Sequence, residues 1–101
     1  MINIDLTAIH RMMTRHYGSR KMNVETIVER VSFIKPRELK ITFDYDKECF
    51  VDMVRLNRRL NRYIGGVRHF FVSVNYKSIE IHVIFYWRRK LRDYDFEFSD
   101  N

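Results

Sequence analysis

Apolar positions along the chain repeat with two different periods. Leu6, Ile9, Met12, Met13 and Tyr17 recur at helical spacing. Asp5 or Asn3 can cap the start of that segment and Gly18 its end, which predicts a helix of about three turns. A second helical pattern fills the stretch from Asp46 to Gly66. At about 100° per residue, Cys49, Met53, Leu56, Leu60 and Tyr63 form one stripe, with Phe50 and Ile64 at its edge. Asp46 is the expected N-cap, and Gly65 with Gly66 the expected left-handed stop.

The remaining apolar runs alternate. Leu39, Ile41, Phe43 and Tyr45 are separated by Lys40, Thr42 and Asp44, the signature of a half-buried strand. VRHFFVSVNY and SIEIHVIFYW predict a hairpin joined around Asn75 to Ser78. Its parity sends Ile79, Ile81, Val83, Phe85 and Trp87 to the core, together with Phe70, Val72 and Val74. Glu80, His82, Ile84 and Tyr86 share the opposite face with His69, Phe71 and Ser73. Residues 24–34 fit both periods. At least a strand from Val28 to Ile34 is favoured, because Lys35 to Glu38 reads as a turn with Pro36 at its second position. The expected architecture is α+β, an antiparallel sheet of four to five strands with two helices in the order helix, hairpin, helix, hairpin. YDFEF near the end suits a short edge strand or an ordered tail.

Length and composition limit what such a chain can be. With 101 residues, 46% hydrophobic and 15% aromatic, it is expected to fold as a single domain over residues 1–101. The one cysteine, Cys49, lies on the apolar stripe and excludes an intrachain disulfide. No basic-then-apolar leader is readable, and no apolar run approaches the roughly eighteen residues of a membrane span. A cytoplasmic protein with no membrane partner is therefore expected.

Charge is distributed unevenly. The net +6 divides into +4 over residues 1–43, −3 over 44–54, +9 over 55–92 and −4 over the acidic tail 93–101. On the second predicted helix Arg55, Arg58, Arg59 and Arg62 gather opposite the apolar stripe. Asp52 can serve Arg55, but no acid stands three or four residues from the other three. Guanidinium groups bind phosphate oxygens through two parallel hydrogen bonds, so uncompensated arginines point to an external anion. Arg88, Arg89 and Arg92 extend the basic zone. Phe71 and Tyr86 are candidates for stacking on unpaired bases.

Catalytic patterns are sparse. Asp44, Asp46 and Glu48 could hold a hard cation but fit helix capping better. Glu38 and Lys40 echo the E-x-K of metal-dependent nucleases without a matching upstream aspartate. The histidines do not pair at metal-ligand spacing, and no phosphate loop or CxxC is present, so neither cofactor nor metal is expected. RHFFVSV from Arg68 lacks both glycines of the aromatic submotif of RNA-recognition domains and is one residue short. The expected function is non-enzymatic binding of DNA or RNA. The alternative is a protein-interaction module, an inhibitor or adaptor, that docks on an acidic protein surface; a homodimer is compatible with either.

Overall fold

The computed structural model describes residues 3–28, 36–45 and 51–86. Its elements run β1 (Asn3–Ile4), α1 (Leu6–Tyr17), β2 (Met22–Val28), β3 (Pro36–Asp44), α2 (Met53–Leu60), β4 (Ile64–Gly65), β5 (His69–Asn75) and β6 (Ser78–Tyr86). The main sheet is antiparallel with order β2-β3-β6-β5, and β1 pairs with β4 in a separate two-stranded sheet. Two helix-hairpin units therefore meet at their second strands, where Ile41 lies opposite Ile81. The α+β class, the two helices and the four-stranded antiparallel sheet agree with the sequence pattern, which gives no sign of the β1–β4 sheet.

One core forms between the helices and one face of the main sheet. Every apolar position expected on α1 is buried, and the side chain of Asp5 caps the helix by accepting from Ala8 N–H at 2.9 Å. Gly18 closes it at φ 69°, its N–H donating to Thr14 at 3.2 Å while Ser19 N–H reaches Met13 at 3.3 Å. Across the sheet Leu39, Ile41, Phe43, Ile79, Ile81, Val83 and Phe85 are buried against Leu56 and Leu60 of α2. Val74 has the expected parity but is 41% exposed, at the turn end of an edge strand.

Three expectations need correction. The first concerns β2, which begins at Met22, six residues before the expected start at Val28, and pairs Val28 with Arg37. Thr26 occupies a core-side position opposite Leu39, while Ile27 faces out beside Glu38 and is 36% exposed. Both residues are exposed, because β2 is an edge strand, and the polar one takes the core-side parity while the apolar one takes the outer. Pro36 to Glu38 accordingly belong to β3, with proline as its first residue, where its missing donor is tolerated. The stretch 29–35 lies outside the described residues.

The second concerns α2, which is shorter than its periodicity and begins after Asp52, whose side chain accepts from Arg55 N–H at 3.1 Å. Asp46, Cys49 and Phe50 lie outside the described residues. The third is the stop. Arg62 N–H and Tyr63 N–H donate to Arg59 and Leu60 at 3.1 and 2.9 Å, tightening the last turn before Ile64 and Gly65 pair with Ile4 and Asn3. Strand pairing, rather than glycine, ends the helix.

Candidate anion-binding surface

Burial of Leu56 and Leu60 fixes the rotation of α2. Arg55, Arg58 and Arg62 are exposed in consequence, and Arg59, at the margin of the buried stripe, is half-buried. Asp52, the expected partner of Arg55, uses its carboxylate to cap the backbone. Among the described residues, no carboxylate forms an ion pair with any of these four arginines.

The first helix extends this surface. Asp5 N–H donates to the Tyr63 carbonyl at 2.9 Å, and the β1–β4 pair anchors the start of α1 beside the end of α2. Ala8, Arg11, Met12, Arg15 and His16 then form one stripe of α1 that, with Tyr63, lines a cleft of about 320 Å³. Arg11, Arg15 and His16 are all exposed. Desolvation, then the positive charges of Arg59 and Arg15, hold the His16 pKa below its ordinary 6.5. Arg59 of α2 and Arg15 of α1 thus act on the same ring. Arg11 and Arg15 were not among the residues singled out from the sequence; their separation of one helical turn, in a segment without any acid, was the available signal.

The opposite face of the sheet has different chemistry. Phe71 stacks on His82 with ring centroids 4.5 Å apart and planes 8° from parallel. His82 Nδ1 is in hydrogen-bond contact with Glu38 Oε1, while Nε2 lies 3.2 Å from Glu80 Oε2 and 3.3 Å from Ser73 Oγ. Lys40 is drawn aside to Glu25 at 3.5 Å. Serine, histidine and glutamate in series resemble a nucleophile with its base, but an ionised carboxylate only accepts. The Glu80 contact therefore requires a proton on Nε2, and that nitrogen cannot then take one from Ser73. Ladder N–H groups lie in the plane of the sheet, so none points out to stabilise an oxyanion beside Ser73. The arrangement ties three strands together.

Glu38 and Glu80 face opposite nitrogens of one ring and do not converge on a cation; no group of three metal-ligating side chains occurs among the described residues. Asp44 is exposed at the end of β3, with Asp46 and Glu48 outside the described residues. The predicted site residues are therefore separated. Arg55, Arg58, Arg59 and Arg62 lie on the helix side, and Phe71 lies on the other side of the sheet beside carboxylates that repel phosphate. Tyr86 ends β6 opposite Pro36, and Arg88, Arg89, Arg92 and the acidic tail lie outside the described residues. No helix among the described residues is long and apolar enough to cross a membrane. Comparison with family models, with curated proteins and with solved structures finds no match to this chain.

Proposed function

We propose that this protein binds nucleic acid without catalysing a reaction on it, through a phosphate-contacting surface made by α1 and α2 together. One observation carries the proposal. The two helices hold Arg11, Arg15, Arg55, Arg58 and Arg59 without a single carboxylate, and the acids that adjoin them, Asp5 and Asp52, are engaged in capping backbone N–H groups. Arg62 follows in the turn after α2. Cations at a helix C-terminus are favoured by the helix dipole, which accounts for Arg15, Arg58 and Arg59 individually. It does not account for Arg55 near the start of α2 or Arg11 in the middle of α1. Like charges gathered on one surface repel each other, and a polyanion relieves that repulsion as it releases its own counterions.

Mobility shift of generic single- and double-stranded oligonucleotides tests the proposal directly. The expected result is a shift that weakens with salt and is reduced by replacing any two of Arg55, Arg58 and Arg59 with glutamine. No shift at low salt overturns it.

A second reading is favoured by Val54, which is 69% exposed on α2 next to Arg55. An apolar residue among arginines suits an acidic protein partner with an apolar centre, since arginine is a frequent interface anchor. A pull-down run with and without nuclease separates the two: an adaptor retains its partner after nuclease treatment, and a nucleic-acid binder loses what it captured.

A further inference from the structure

The cleft between α1 and the turn after α2 differs from the rest of the basic surface because its cations converge. Arg11 and Arg15 stand one helical turn apart, His16 adjoins Arg15, and Tyr63 bounds the other side. The volume, about 320 Å³, is sufficient for a phosphate and part of the group attached to it. A phosphodiester within a strand carries one negative charge and continues in two directions. A phosphate monoester carries about two negative charges near neutral pH, presents three terminal oxygens and needs only one way in.

We propose that this cleft seats the terminal phosphate monoester of a nucleic-acid strand, with Arg11 and Arg15 holding its oxygens and His16 donating a third hydrogen bond. This rests on the nucleic-acid reading of the helix surface and adds to it a place where one end of the strand is held. Among the described residues no carboxylate lines the cleft, so two arginines stand ready for a doubly charged group. His16 faces Arg15 and Arg59, which oppose its protonation in the free protein. A bound dianion reverses that field, and His16 takes up a proton as the phosphate enters. Affinity for a phosphorylated end therefore rises as pH falls from neutral towards about 6, and declines below that as the monoester itself takes up a proton.

The test titrates the full chain with one single-stranded oligonucleotide in three forms: hydroxyl at both ends, and phosphate at either end in turn. One phosphorylated form is expected to bind about tenfold more tightly than the hydroxyl form, the size of one charge-assisted hydrogen bond. Excess inorganic phosphate is expected to remove that increment. Combined Arg11→Gln and Arg15→Gln brings all three forms to one weaker, still salt-dependent affinity and so abolishes the preference, whereas Arg58→Gln weakens all three forms and keeps it. Both cleft positions are exposed, and a thermal melt verifies folding; His16→Gln, which also diminishes the preference, serves if the double variant unfolds. By NMR the His16 ring titrates at higher pH with the preferred form and not with the hydroxyl form. Equal affinity for all three forms overturns the seat and leaves the nucleic-acid reading standing. Failure of all three to bind overturns the reading and the seat together.

Discussion

The N–H of Asp5 donates to the carbonyl of Tyr63 at 2.9 Å, joining the residue that opens α1 to the turn that leaves α2. Through this bond and the adjoining β1–β4 pair, arginines far apart in sequence share one surface. The coupling is measurable at His16, whose pKa is lowered by desolvation and by the charges of Arg59 and Arg15. Arg59→Gln is expected to move the His16 titration upward, towards 6.5, in an NMR pH series. An unchanged titration would mean that the two helices do not share a field.

The same shift has a consequence for stability. Because the folded-state pKa lies below 6.5, the unfolded chain binds a proton first as the medium is acidified. The stability associated with neutral His16 is fully present above its unfolded pKa and is lost as pH falls through the lowered folded value. Denaturation curves between neutral and mildly acidic pH should show a shallower loss for His16→Gln than for the parent. The effect is small, since the ring is exposed and solvent screens it.

Removing the imidazole on the open sheet face should matter more. His82→Ala leaves Glu38 and Glu80, about a quarter exposed at 27% and 26%, without the ring they share and strips the stacked partner from Phe71. A loss of about 2 kcal/mol is expected in chemical denaturation, against less than about 1 kcal/mol for Ser73→Ala. Nucleic-acid affinity of the folded His82→Ala protein should match the parent, because this face is opposite the arginines. A fall in affinity without a fall in stability would place the binding surface on the wrong side of the sheet.

Backbone conformation supplies a pair of opposite predictions. Gly18 sits at φ 69° with nothing within 4 Å of an added Cβ, so Gly18→Ala costs only conformational strain. That cost is about 1 kcal/mol. Lys77, in the turn between β5 and β6, has φ 59° although it is not glycine. Lys77→Gly is expected to gain about 0.5 kcal/mol, strain relief exceeding the added freedom of the unfolded chain. Thermal melts of the two variants should therefore move in opposite directions.

Much of the fold was legible because local pattern and tertiary structure agree over long stretches. The five apolar positions of α1 and the alternation in β3 and β6 are all buried as their periods require. Legibility failed where a long-range contact decided the outcome. Two residues of β1 pairing with two of β4 are too short to carry a period, and they ended α2 before the glycines that looked like its stop. At Thr26 and Ile27, both exposed on the edge strand β2, the register gives the polar residue the core-side parity and the apolar one the outer, which no period could reveal. The arginines of α2 were visible as a charge pattern. Their continuity with Arg11 and Arg15 was not, since it depends on how the two helices are tethered. The Glu38–His82–Glu80 contacts join two separate strands, and only the sheet register brings them together.

The most direct test of the proposed phosphate-binding surface is the salt dependence of oligonucleotide affinity. If about five phosphates are engaged, the logarithm of affinity falls against the logarithm of salt with a slope of about −4.5 for duplex DNA and about −3.5 for single strands. Replacing Arg55 and Arg58 together with glutamine should flatten the duplex slope by about 2. A slope near zero in the parent protein, or one that these two replacements leave unchanged, would contradict the claim that α1 and α2 hold nucleic acid by its phosphates.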